Sequence, residues 1–124
     1  KLKALFINPK DNSFSVINYD GDYQSIYKIL DCRTFDAVYP FDNEDTIYVD
    51  DEGLLKGANY HWNVITDRGR LITLVGKGLV LGSDAEGESV DCKTTISELA
   101  QRINFIGWKT IHDDNRSFDI VSFN

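Results

Sequence analysis

Short runs rich in Ile, Val, Phe and Tyr alternate with turn-forming residues along most of the chain. The runs LKALFINP (2–9) and SFSVINYD (13–20) meet at the turn-forming stretch Pro-Lys-Asp-Asn. Together they predict a β-hairpin. FDAVYPF (35–41) and TIYVD (46–50) predict two further strands joined by an acidic loop. The first half of the chain is therefore mostly strand.

The second half has a less regular pattern. The stretch NYHWNVITDRGRLITLVGKG fits two strands around Asp67-Arg68-Gly69, and it also fits a partial loop. Leu79-Val80-Leu81 is a short apolar run between glycines, and FDIVSF near the end predicts a final strand.

Two segments carry apolar residues at helical spacing. The first predicts a helix over about 22–30 with Asp22 as its cap. The second predicts a helix over about 95–106, because Thr95 and Glu98 have capping-box spacing and Gly107 offers a left-handed end. Its apolar stripe contains Ile96, Leu99, Ala100, Ile103 and Ile106.

These elements predict the fold class. Two helices are too few to cover both faces of a large sheet. We therefore expect an α+β fold, in which residues 1–124 form a single compact domain with a mostly antiparallel sheet and both helices on one side.

Charge narrows the functional classes. Twenty acidic residues against thirteen Lys and Arg give a net charge of −7. Nucleic-acid affinity comes largely from Lys and Arg, so direct DNA or RNA binding is not expected, and a protein partner with a basic surface suits the charge better. The apolar runs are too short for a membrane span or a signal sequence, so we expect a cytoplasmic protein without a membrane association.

Metal and cofactor sites find little support in the sequence. Cys32 and Cys92 lie in no cluster with each other or with a histidine, so no metal or cofactor is expected. The acidic residues also lack the ligand spacing of a calcium loop, and they predict a solvated acidic surface instead. That surface would consist of Asp42, Glu44, Asp45, Asp50, Asp51 and Glu52.

No known catalytic signature occurs. His61 and His112 have neither a nucleophile nor an orienting carboxylate at a recognisable spacing, so no catalytic residue is assigned. An enzyme with an unfamiliar site stays open as an alternative.

Two segments are candidates for binding. The first, Asn59-Tyr60-His61-Trp62, crowds aromatic groups with polar tips, which recur at recognition surfaces. The second, Gly76-Lys77-Gly78, lacks the spacing of a phosphate loop. Its glycines are typical of close strand packing, while Lys77 is the best available contact for a small anionic ligand.

Several segments in the same order resemble a known family. They are KALFINP, YDGDYQSIYKILDCRTFDAV, YVDDEGLLKG and GKGLVLGSDAEGESVD, followed by the capped helix. Over about residues 3–105 the chain resembles the family called domain of unknown function 3846, found in bacteria, phages and plasmids. The resemblance implies a phage or mobile-element setting inside a bacterial cell, and it carries over no activity. Residues 108–124 lie outside the common pattern.

The leading hypothesis is a non-enzymatic cytoplasmic binding protein of phage or mobile-element origin. It would inhibit or modulate a host protein, including one of a defence system, through its acidic surface. The alternative is a small-ligand binder for a nucleotide or a nucleotide-derived signal, using Lys77, the nearby glycines, Tyr60 and Trp62.

Overall fold

The computed structural model describes residues 1–110 of the chain. Nine strands, two α-helices and one 3-10 turn follow each other within these residues. The strands are β1 Leu2–Asn8, β2 Ser13–Tyr19, β3 Phe35–Val38, β4 Thr46–Asp50, β5 Ala58–Ile65, β6 Leu71–Val75, β7 Gly78–Ser83, β8 Ser89–Val90 and β9 Ile103–Thr110. The helices are α1 Gln24–Leu30 and α2 Ile96–Arg102, and the 3-10 turn is Gly53–Leu55.

The larger sheet has six strands in the order β2-β1-β7-β4-β3, with the short β8 paired to β7. All of its pairs are antiparallel, including the predicted hairpin of β1 and β2 and the predicted pair of β3 and β4. A smaller sheet has the order β6-β5-β9 and is also antiparallel. The hairpin around Asp67-Arg68-Gly69 thus forms as two strands, and the predicted α+β class is confirmed.

The two helices lie on opposite faces of the larger sheet, and the prediction that both cover one side is corrected. Ile26 and Leu30 of α1 pack with Leu79 and Leu81 of β7. Leu99 of α2 belongs to the cluster on the other face, which also holds Val80 of β7 and the inner face of the smaller sheet. Because successive residues of a strand point to opposite faces, the all-apolar run in β7 requires a cover on both sides.

The second helix begins as predicted and ends four residues early. The hydroxyl of Thr95 accepts the backbone N–H of Glu98, and the carboxylate of Glu98 accepts the N–H of Thr95, which completes the capping box. At Ile103 the backbone turns extended (φ −111°, ψ 133°), and the chain continues as β9. Ile103 pairs with Val64 and Phe105 pairs with Trp62, so both apolar residues are placed by pairing with β5 and not by the helix.

Gly107 has a different role from the one predicted. It lies within β9 at φ +114°, beside a shift in register opposite His61 and Trp62. The glycine therefore accommodates a β-bulge instead of ending a helix. The predicted final strand FDIVSF lies outside the described residues. Among residues 1–110 no helix is both long and apolar enough to cross a membrane.

Candidate binding site

The predicted binding segment 59–62 lies in β5, and half of it is buried. The side chain of Trp62 is fully buried, and its Nε1 donates a hydrogen bond to the carbonyl of Gly76 (2.8 Å). His61 is 4% exposed. Only Asn59 and Tyr60 keep some accessible surface. Trp62 and His61 consequently serve the core and offer no stacking face to a ligand.

His61 also lacks the geometry of a general base. Its Nδ1 lies 3.0 Å from the backbone carbonyl oxygen of Asn59, so a carbonyl and not a carboxylate orients the ring. Burial, followed by the charge of Lys109, lowers the pKa of His61 despite that hydrogen bond. The ring therefore stays neutral near pH 7. The second histidine, His112, lies outside the described residues.

The two predicted binding segments meet in space. The N–H of Gly76 donates to the carbonyl of Tyr60 (2.9 Å), and a Cβ added at Gly76 would lie 3.7 Å from Nδ2 of Asn59. A Cβ added at Gly78 would lie 3.2 Å from the ring of Trp62, so this glycine permits close packing. Lys77, between the glycines, is half-buried and forms no ion pair within the described residues.

Asp45, one of the six residues of the predicted acidic surface, is fully buried. Its carboxylate accepts the backbone N–H of Lys93 on both oxygens (3.1 and 2.9 Å). It also accepts the N–H of Thr94 (2.7 Å) and the Thr94 hydroxyl (2.6 Å). Asp45 therefore connects the loop before β4 to the segment before α2 through hydrogen bonds. It does not contribute to the predicted acidic surface.

Most of the remaining acidic residues of that predicted surface are paired. Asp50 is 8% exposed and forms an ion pair with Lys56. Glu52 forms an ion pair with Arg33 (3.0 Å between nitrogen and oxygen), and Glu44 forms one with Lys93 (3.0 Å). Asp42 and Asp51 are both exposed, and neither forms an ion pair among residues 1–110. These six positions do not build a continuous acidic surface. Within the same residues, no group of three or more His, Cys, Asp and Glu side chains is arranged to hold a metal ion.

A cleft of about 510 Å³ lies beside the end of α1 and contains three cations. Its lining comprises Tyr27, Lys28, Asp31, Cys32, Arg33, Glu52 and Lys56. Arg33 and Lys56 are held by Glu52 and Asp50, so their charges are balanced locally. Burial, the largest influence, raises the pKa of the Cys32 thiol, which keeps the sulfur protonated and a weak nucleophile. The lining of the cleft has one more cation than acids, Asp50 outside the lining balances it through Lys56, and the thiol is not reactive.

A second cavity, of about 320 Å³, lies on the α1 side of the larger sheet, and four of its ten lining residues are aromatic. We call it the aromatic pocket, and its lining comprises Leu2, Tyr19, Gly21, Tyr23, Ile26, Phe35, Tyr48, Gly87, Glu88 and Ser89. Phe35 and Tyr48 meet edge to face at 5.4 Å between ring centroids. The side chain of Tyr23 is 59% exposed at the rim. The pocket thus runs from an exposed aromatic rim to a buried aromatic interior.

Tyr19 in this pocket has an unpaired hydroxyl. The residue is 2% exposed, yet its hydroxyl forms no hydrogen bond within residues 1–110. Burial and then the nearby charges of Asp20 and Asp22 raise the pKa of Tyr19. Burial, with a smaller contribution from Tyr39, raises the pKa of Tyr48 as well. Both phenols are therefore neutral, and a buried hydroxyl without a partner in the protein is uncommon.

The charge around the aromatic pocket is negative. Glu88 is the only ionisable acid or base with a full charge at pH 7 among the lining residues. Asp20 and Asp22 flank Gly21, and both carboxylates accept hydrogen bonds from their own turn. The hydrogen bond from Ser25 is the largest influence that lowers the pKa of Asp20, and the charge of Lys1 adds to it. One carboxylate thus lines the pocket and two more act on Tyr19, while Lys1 is the cation that acts on Asp20.

The sequence analysis missed this pocket. Its aromatic residues come from β2, the start of α1, β3 and β4, and they converge only through the strand order of the sheet. One local signal was available, the stretch Tyr-Asp-Gly-Asp-Tyr at 19–23, in which two tyrosines flank two acids. The prediction of Asp22 as the helix cap is wrong: Tyr23 is the N-cap residue, and the Oδ1 of Asp22 accepts the N–H of Gln24 from one residue further out (3.0 Å).

Comparison with known proteins gives one match. The family described as domain of unknown function (DUF3846) matches residues 2–104. No curated protein and no solved structure matches the chain. The matched region contains every residue of the aromatic pocket and ends within β9.

Proposed function

The chain belongs to the family of the domain of unknown function 3846, and on this premise we propose that it is a binding protein whose aromatic pocket receives part of a partner protein. The pocket combines an exposed ring, buried rings and neutral hydroxyls, the groups that contribute most at protein interfaces. A fold alone does not define a function, so the proposal depends on the chemistry of this pocket.

The observation that carries the proposal is the convergence of four aromatic residues on one cavity, where buried Tyr19 has no hydrogen-bond partner for its hydroxyl among residues 1–110. A buried hydroxyl without a hydrogen bond destabilises a fold unless water or a ligand supplies the missing partner. A partner group that bonds this hydroxyl and covers Tyr23 would bury apolar area as well. The cavity is therefore suited to holding a group from outside the chain.

The proposed setting follows from the resemblance noted in the sequence. The protein would act without catalysis in the cytoplasm of a bacterial cell that carries a phage or mobile element. Its partner would be a host protein with a basic surface, whose activity it inhibits or modulates. The net charge of −7 supports the basic partner, because opposite charges increase the rate of encounter.

Affinity capture with two matched variants tests the proposal. Tyr23→Ala removes a ring of the pocket rim that is 59% exposed, and Trp108→Ala removes a ring that is 61% exposed on the smaller sheet. We expect Tyr23→Ala to lose the partner retained by the native protein and by Trp108→Ala. Retention of the partner by Tyr23→Ala, or its loss from Trp108→Ala alone, would contradict the proposal.

A small anionic ligand near Lys77 is the second candidate. The observation that favours it is that this lysine follows Gly76, which lies close to Asn59, and forms no ion pair among the described residues. A nucleotide library screened by thermal shift would then raise the unfolding temperature of the native protein and not that of Lys77→Ala. A flat response from both proteins would remove this candidate.

A further inference from the structure

Four aromatic residues line one small cavity, and they differ in exposure. Tyr19 and Tyr48 come from β2 and β4, while Tyr23 and Phe35 come from the start of α1 and from β3. The face of an aromatic ring carries negative potential and attracts a cation within about 6 Å of its centroid. A volume of about 320 Å³ suits one long side chain better than a large cofactor.

The charges near the cavity have the same sign as the ring faces. Glu88 lines the cavity, and Asp20 and Asp22 are close enough to Tyr19 to act on its hydroxyl. None of these three carboxylates forms an ion pair among residues 1–110. A cation entering the cavity would therefore be attracted by rings and carboxylates together.

The hydrogen-bonding capacity of the cavity matches a cationic donor. Neutral Tyr19 and Tyr48 have hydroxyl lone pairs, and the Tyr19 hydroxyl has no partner among the described residues. An ammonium or guanidinium group carries only donors, so it can use these lone pairs. The apolar stem of a lysine or arginine would pack against Ile26 and Phe35 while its charged end reaches the oxygens.

We infer that the aromatic pocket binds a lysine or arginine side chain presented by the partner protein. This inference rests on the proposed function, and it specifies which chemical group of the partner the pocket binds. A side chain on a protein fits better than a free organic cation, because the exposed ring of Tyr23 at the rim leaves area for a partner surface to cover.

Titration with short peptides, followed by backbone and aromatic NMR shifts, tests the inference. The probes are a lysine peptide, its arginine counterpart, the same peptide with norleucine, and tetramethylammonium. The lysine or arginine peptide should shift the signals of Tyr19, Tyr23, Gly87 and Ser89 in a saturable way. The norleucine peptide should leave them unchanged. Equal binding of norleucine, binding of tetramethylammonium alone, or no shift with any peptide would overturn the inference.

Two glutamates in one turn provide a matched pair of variants. Glu88 lines the pocket, while Glu86 lies two residues away, is exposed and does not line it. Glu88→Gln should weaken the peptide about fivefold, as should Tyr23→Leu, which keeps an apolar side chain and removes the ring. Glu86→Gln should bind as the native protein does. Equal affinities for Glu88→Gln and Glu86→Gln would contradict a charge contribution from the pocket.

The failure of this inference can be separated from the failure of the proposed function. If Tyr23→Ala loses the captured partner but lysine and arginine substitutions on that partner change nothing, the binding function stands and the cationic occupant is wrong. If Tyr23→Ala retains the partner, the binding function itself is wrong.

Discussion

At the scale of single residues, burial separates structural carboxylates from accessible ones. Asp45 belongs to a stretch of the sequence that looks like a solvated acidic turn, yet it is fully buried and its oxygens accept four hydrogen bonds. Asp42, three residues earlier, is exposed. The local sequence around both residues is alike in polarity, so only the distant donors at Lys93 and Thr94 distinguish them.

Asp45→Ala should therefore destabilise the protein strongly. The substitution leaves two backbone N–H groups and the Thr94 hydroxyl without their acceptor, and an unsatisfied buried group costs roughly 1 to 3 kcal/mol. Chemical denaturation measures the free energy of unfolding. The control Asp42→Ala should change it by less than about 0.5 kcal/mol, and similar values for the two variants would contradict the structural role of Asp45.

His61 should make stability depend on pH below neutrality. Burial holds the pKa of the folded histidine below its ordinary value of 6.5, so the unfolded chain binds a proton more readily. Its contribution to stability is complete above the unfolded pKa and is lost as the pH falls through the folded pKa.

Denaturant unfolding of the native protein and of His61→Gln measures this dependence between pH 8 and pH 5, about 1.5 units on either side of the ordinary histidine pKa. The other titrating groups are common to both proteins. We expect the free energy of unfolding to fall more steeply with acid in the native protein, and parallel curves would show that His61 does not contribute.

At the scale of elements, local signals predict where an element begins better than where it ends. The capping box of Thr95 and Glu98 fixes the start of α2. The apolar stripe beyond it was assigned to the same helix, because Ile103 and Ile106 keep helical spacing with Leu99. Pairing of Ile103 with Val64 of β5 overrides that spacing, and no residue near Ile103 encodes a contact so distant in sequence.

The candidate site depends more on contacts between distant parts of the sequence than the strands do. Strand content and the hairpins follow from alternation and turn residues, which are local. The aromatic pocket depends on which strands become neighbours, since Tyr19 and Tyr48 lie on strands separated by β1 and β7 in the sheet. Trp62 was interpreted as a surface residue because nothing in β5 shows which face the smaller sheet turns to the core.

Close packing of β8 against β7 gives a prediction at this scale. A Cβ at Gly82 would overlap the carbonyl oxygen of Asp91, and backbone cannot move aside as a side chain can. A Cβ at Gly78 would lie 3.1 Å from a terminal carbon of Ile7, a flexible neighbour. Gly82→Ala should lose about 1 to 3 kcal/mol and should lower the melting temperature by circular dichroism more than Gly78→Ala. The reverse order would contradict this packing.

At the scale of the whole molecule, a net negative charge accompanies an aromatic pocket on the α1 side of the larger sheet. The net charge of −7 favours encounter with a basic protein, and the aromatic pocket supplies a place where one side chain can be held. The two features act at different ranges. Charge is screened by salt over about 10 Å at 0.1 M, whereas contact with buried rings is screened much less.

Salt should accordingly slow association more than it speeds dissociation. Stopped-flow or biosensor kinetics can measure the binding of a lysine peptide or of the captured partner. We expect the association rate to fall as the salt concentration rises. The dissociation rate should respond mainly to Tyr23→Leu, which removes a ring contact. An association rate independent of salt would contradict the role of the net charge.

Site-specific photocrosslinking in bacterial host cells tests the central claim most directly. A photoreactive phenylalanine derivative at position 23 keeps an aromatic ring on the rim of the aromatic pocket, and one at position 108 has similar exposure on the smaller sheet. We predict a defined crosslinked protein from position 23, attached next to a lysine or arginine of that protein, and weaker crosslinking in Glu88→Gln. A crosslink from position 108 with none from position 23 would contradict the account.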